Sequence, residues 1–173
     1  MYHDDVDKIA NTSANKVKIV EESFTKYFGR AVMAGVFIML ATILSYTIGG
    51  ILSPNYPEAA RISSAALFCF AIIAIVFFSA ELFTGNNFVM YIGILKKKVN
   101  IKSTLKILSY SFLGNFVGII IFAYMFVKSG VNFEAIKSYI EPIAYSKLDL
   151  SVLELVLRGI LCNFSVCLAV YSG

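Results

Sequence analysis

The chain has 173 residues, 58% of them hydrophobic and 15% charged, with a formal net charge of +4. With a mean hydropathy of +0.77 and several uncharged runs of about twenty residues, this composition excludes an ordinary soluble domain and describes an integral membrane protein. The basic residues sit between apolar spans, so nucleic acid is not an expected partner. The cysteines Cys69, Cys162 and Cys167 form no C-x-x-C pair and the only histidine, His3, lies in the tail, so no metal, disulfide framework or cofactor is expected.

Residues 1–28 mix acids and lysines, unlike a cleavable signal. From Asn15 onward, Val17, Val20, Phe24 and Phe28 recur at helical spacing, with Lys16, Lys18, Glu21, Glu22 and Lys26 between them. This predicts an amphipathic helix on the membrane surface or against the bundle, with a gating role as its functional alternative. Ala31–Leu52 is the first uncharged span, and its Ala34, Gly35, Gly49 and Gly50 permit close helix approach. Pro54 and Pro57 end it in a short turn.

Ile62–Leu95 carries no charge except Glu81, and as one helix it would be about 50 Å long against a hydrocarbon core of about 30 Å. Its middle, Glu81-Leu82-Phe83-Thr84-Gly85-Asn86-Asn87, is what a lipid-facing helix avoids, since a carboxylate at a helix centre in lipid costs about 2.5–3.5 kcal/mol or more. The expectation is a helix over Ile62–Ala80, a break over 81–87 and a half-helix over Phe88–Leu95, the arrangement by which transporters expose backbone to a solute. Five lysines within 96–106 lead into a span over Ile107–Val127, where Gly114 and Gly118 flank Asn115, expected to be bonded inside the bundle. Lys128–Leu150 reads as a long connection with a short helix over Phe133–Tyr139 and a break at Pro142. Ser151–Gly173 is the last span, with Glu154 and Arg158 before its uncharged part. It stops without a terminating signal, so a chain that continues further is expected.

Five basic residues in the tail (Lys8, Lys16, Lys18, Lys26, Arg30) and five in 96–106, against one in 53–61 and three in 128–150, place the N-terminus and the 96–106 loop in the cytoplasm, and the cell inner (plasma) membrane is the expected location. Both parts of the broken element then count as one crossing. Arg30-Ala-Val-Met-Ala-Gly35 is faintly echoed by Arg158-Gly-Ile-Leu-Cys-Asn163, as three-span inverted repeats would give. The chain thus divides into an N-terminal helix (1–28), a first three-span repeat (29–128) and a connection with the first span of a second repeat (129–173).

Ala80-Glu81-Leu82-Phe83-Thr84-Gly85-Asn86 resembles the second-span loop motif of the formate/nitrite transporter family, and the run Gly159–Val170 is similar to that family's fourth-span motif. The resemblance implies an all-α, aquaporin-like inverted three-plus-three helix repeat, of which about four of six spans are present here, assembled as a homopentamer in the bilayer. It implies passage of small monovalent anions (hydrosulfide, formate or nitrite, with lactate and acetate in some members), the overall likeness being to the hydrosulfide branch. Carried over residue by residue, Phe68 and Ile72 fall at one constriction, and Leu82 and Phe83 cap the mobile loop at another. Thr84 is the pore-facing hydroxyl, and Val166 lines the pore beside Asn163. Lys147, sixteen residues before Asn163, makes the chamber electropositive. Glu81, Gly85 and Asn86 brace the loop, Glu81 through backbone amides and Gly85 as the permissive hinge. The family's pore histidine lies beyond the residues given.

Each residue also has a plainer reading. Phe68 and Ile72 suit core packing, Thr84 suits helix capping, and Lys147 and Lys96–Lys98 suit interfacial anchoring. A neutral-solute or protonated-acid facilitator of the same architecture is the alternative function. A thiol enzyme using Cys162 and Cys167 is disfavoured because no histidine or carboxylate lies within a turn of either.

Overall fold

A computed structural model describes residues 2–131 and 134–172. Among them lie seven helices and no strand: α1 (Tyr2–Glu22), α2 (Phe24–Leu52), α3 (Pro57–Phe77), α4 (Phe83–Leu95), α5 (Ile101–Lys128), α6 (Glu134–Leu148) and α7 (Val152–Ser172). Four are long and apolar enough to cross a membrane: α2, α3, α5 and Val152–Tyr171 of α7. α4, with 13 residues, spans about 20 Å and reaches only part of the way across.

α2 is the central post, packed along α3 on one side and α5 on the other. Small residues make this possible. Ala31, Ala34, Gly35, Ala41, Ser45 and Gly49 are buried on α2, and Ser111, Gly114 and Gly118 on α5. A methyl group at Gly35 would run into the backbone of Asn115, and one at Gly118 into that of Val32. Between α2 and α3, Ser45 Oγ donates to the Ser64 carbonyl at 2.7 Å and Ser64 Oγ to the Ser45 carbonyl at 3.0 Å. Such interhelical bonds hold helices where lipid removes the hydrophobic drive to associate.

Several helix boundaries differ from the sequence reading. The N-terminal helix stops at Glu22, and Ser23 caps a new helix by accepting from the Lys26 amide. Phe24 and Phe28 therefore belong to the first spanning helix, which begins seven residues before Ala31. α1 lies against α4, where Ser13 fills the space left by Gly93. Its buried residues include Ala10, Ser13 and Val20, and Lys16 turns inward with them. The periodicity of apolar residues alone placed Lys16 on the wet face, because its partner is remote in sequence. Pro142 does not end the connecting helix but sits inside α6. Tyr139, one turn earlier, packs edge-on against Tyr46 and lies over Gly49 and Ser64, which holds α6 to α2 despite the amide hydrogen bond that proline forfeits. Phe133, the expected start of that helix, lies outside the described residues.

The break is also shorter and earlier than 81–87. α3 ends at Phe77 in a Schellman motif, with Ser79 N–H bonded to Val76 O (3.1 Å) and Ala80 N–H to Ile75 O (2.9 Å). α4 begins at Phe83, so Phe83–Asn87 form its opening turns. α4 ends in the same motif, through Lys97 and Lys98. At α7, Ser151 and Glu154 form a capping box, the Glu154 carboxylate accepting from Ser151 N–H at 2.9 Å.

Candidate permeation site

Breaking a helix inside a bundle strands backbone donors and acceptors, and each needs a partner where water is excluded. In this chain the segment 78–82 is tied on every side. Glu81 N–H donates to the Arg30 carbonyl of α2 at 3.2 Å. Asn115 of α5 donates to the Glu81 carbonyl at 2.9 Å and to the Ala31 carbonyl at 2.8 Å, and accepts from Phe83 N–H at 2.9 Å. Leu82 O accepts from Asn86 N–H, the first helical bond of α4.

Glu81 is buried, with 3% of its surface exposed. Its Oε2 accepts from Lys16 Nζ at 2.6 Å and from Asn86 Nδ2 at 3.0 Å. Asn86 Nδ2 also donates to the hydroxyl of Tyr27, at 2.9 Å, a fully buried phenol that borders Ser111. The partners of the Glu81 carboxylate are thus side chains of α1 and α4 and not the backbone amides expected. Lys16, Tyr27 and Asn115 complete the cluster. Neither Lys16 nor Tyr27 carries a sequence signal of this role, because each partner is more than fifty residues away.

At the break, α2, α3, the start of α4 and α7 bring apolar side chains together. Leu82, the N-cap residue of α4, is buried with Ile75 and Ala34, and Ile72 and Val166 pack against them. Phe68, one turn before Ile72, is exposed and stands outside this cluster. Phe83 packs edge-to-face on Phe112 of α5 instead of beside Leu82. Gly85 is buried in the first turn of α4, facing Val170 of α7. The left-handed residue at the break is Ser79 (φ 51°).

Beside Leu82 opens a cavity of about 340 Å³, lined among others by Lys16, Arg30, Ser79, Glu81, Asn86 and Val170. Arg30 is the second cation there, and no feature of the sequence distinguished it beyond the faint repeat. Thr84 does not line this cavity. Its carbonyl accepts weakly from Cys167 Sγ at 3.6 Å, and it sits two residues after the cap position, so it is not the capping residue. Asn163 lies in a separate cavity of about 580 Å³ between α4, α5 and α7, together with Thr104, Tyr91 and Phe164. The buried Oδ1 of Asn163 and Oγ1 of Thr104 have no hydrogen-bond partner among the described residues. Lys147 is exposed in the last turn of α6 and lines neither cavity. Among the described residues no cluster of metal-ligating side chains occurs, and the three cysteines are free.

The sequence profile described as "Formate/nitrite transporter" matches residues 3–173. The chain is 30% identical over 165 residues to "Uncharacterized transporter YwcJ" of Bacillus subtilis (strain 168), covering 95% of this chain and 64% of that protein. It is 26% identical over 174 residues to "Nitrite transporter NirC" of Escherichia coli (strain K12), covering 100% and 64%. Among solved structures it is similar to an "FNT family ion channel", with a TM-score of 0.91 and 26% identity, covering 98% of this chain and 68% of that one. The chain thus spans about 64% of the length of these curated relatives.

Proposed function

The chain belongs to the formate/nitrite transporter family, and from that premise we propose that it forms a channel for small monovalent anions, of which hydrosulfide, formate and nitrite are the candidates. The observation that carries this reading is the meeting of Ile72, Leu82 and Val166 at a polar helix break, beside a cavity that holds Lys16 and Arg30. The two cations draw an anion into the cavity, although Glu81 already engages Lys16 and leaves Arg30 the larger part of that attraction. The apolar residues then admit only a solute small enough to shed its water. Thr84, in the first turn of α4, and the Asn163 amide offer hydrogen bonds beyond that point, the helix N-terminus adding its positive end. Lys147 acts on the far chamber by long-range attraction. Phe68 forms the outer constriction with Ile72, and movement of the segment around Glu81 and Leu82 opens and closes the path. In the working assembly, a homopentamer in the plasma membrane with the N-terminus in the cytoplasm, each copy holds one pore, which the second half of the aquaporin-like inverted repeat completes.

Reconstituted vesicles test this directly. Formate, nitrite and hydrosulfide should enter faster than into empty vesicles, and Thr84→Ala and Lys147→Glu should each slow them. Flux indifferent to both substitutions, or no flux at all, overturns the reading.

One observation favours the protonated-acid variant: the side chains that meet at the break, those of Ile72, Ile75, Leu82 and Val166, are aliphatic. A bare anion pays heavily for such a stretch, whereas a neutral acid crosses it readily. Electrical current measured alongside uptake separates the two, because a neutral species carries none.

A further inference from the structure

Leu82 owes its position to a side chain on α5, more than thirty residues further along the chain. As the N-cap of α4 it is extended, with φ −89° and ψ 126°. Around an extended residue the preceding carbonyl and the following amide point the same way, and in a sheet a neighbouring strand would bind both. Here no strand is present among the described residues, and one carboxamide does the same work. Asn115 Nδ2 donates to Glu81 O at 2.9 Å and Asn115 Oδ1 accepts from Phe83 N–H at 2.9 Å. The remaining N–H goes to Ala31 O of α2 at 2.8 Å, so both amide hydrogens are used.

Asparagine reaches the break only because α2 and α5 cross so closely. Gly35 faces the Asn115 backbone with no room for a methyl group, and Gly114 and Gly118 are equally crowded against Ala31 and Val32. At such a crossing a short side chain on α5 passes α2 and meets the segment behind it. A glutamine would be one methylene too long and an aspartate would lack the donors.

We propose that Asn115 is the positioning residue of the constriction: by bridging Glu81 O and Phe83 N–H it locks the backbone of Leu82 and so sets the aperture that Leu82 forms with Ile72 and Val166. It touches no solute and acts through Leu82. The proposal rests on the reading of that cluster as a permeation path.

The test uses the full chain in vesicles and compares uptake of formate with uptake of the bulkier lactate, acids of similar strength, so that their ratio at one pH reports size discrimination. The unaltered protein should favour formate. Asn115→Leu, which loses all three bonds, should shrink that preference by roughly tenfold, the ratio one lost hydrogen bond is worth. Asn115→Asp, which keeps the acceptor for Phe83 N–H, should fall between the two. A preference unchanged in both variants overturns the proposal, and so do equal losses of both fluxes, the signature of a merely structural role. Hydrogen exchange over residues 79–88 is read in parallel. Faster exchange of the Phe83 amide in Asn115→Leu, with the helices elsewhere unchanged, supports the positioning role even if the unaltered protein passes neither acid, in which case the permeation reading alone fails. Exchange unchanged at Phe83 overturns the positioning role whatever the fluxes do.

Discussion

Placing Lys16 and Glu81 together inside the bundle removes two charges from water, and their mutual attraction offsets that loss only while both are present. The two side chains are 15% and 4% exposed. Removing one leaves the other stranded, at a cost of about 3–5 kcal/mol. Lys16→Ala should therefore lower the unfolding temperature in detergent sharply and loosen α1. The paired replacement Lys16→Met with Glu81→Gln should be much milder, because it leaves no uncompensated charge. A double variant as damaged as the single would show that the pair matters for something other than charge balance. Asn86 and Tyr27 carry less of this weight, since each keeps a neutral partner when the charges are gone.

At the scale of elements, the C-termini of the two halves of the broken helix, α3 and α4, solve the same problem with unlike residues. Schellman caps normally place glycine at the left-handed position, yet Ser79 (φ 51°) and Lys97 (φ 55°) hold it here. A left-handed residue with a side chain costs about 1–2 kcal/mol. Ser79→Gly should therefore stabilise the protein by about 0.5–1 kcal/mol after its entropic penalty, and Ser79→Val should destabilise it, both read as thermal shifts. The α2–α5 crossing gives a second comparison. Gly114→Val forces a side chain into Ala31 and should cost about 1–3 kcal/mol. Gly29→Ala meets no atom within 4 Å and should gain up to about 1 kcal/mol from helix propensity. Equal effects at the two glycines would refute the close crossing on which the reach of Asn115 depends.

For the whole molecule, the apolar surface is arranged outward. Residues such as Phe70, Ile73 and Phe77 on α3, Phe112 and Phe116 on α5 and Leu153 and Phe164 on α7 are exposed, as suits helices meeting lipid or further protein. The apolar stretch of α7 has none of its residues buried among the described ones, whereas α2 packs against α3, α5 and α6. Substitutions that add a charge at Leu153 should lower membrane insertion or assembly without altering the α2–α3–α5 core, a difference that protease protection of the core helices would reveal.

The sequence by itself determined the membrane class, the existence of the interrupted helix and the residues of its motif, because uncharged length and a lone carboxylate within it are local facts. It also marked the small-residue faces of α2 and α5, which follow from spacing along one helix. Only the tertiary structure decided where the interruption lies. Leu82 and Phe83 carry no breaking signal of their own, and the segment takes its shape from Arg30, Ala31 and Asn115 on neighbouring helices. The same holds for the inward turn of Lys16, the separation of Phe83 from Leu82, and the continuation of α6 through Pro142. Each is settled by a partner distant in the chain, and periodicity records only what a helix does on its own.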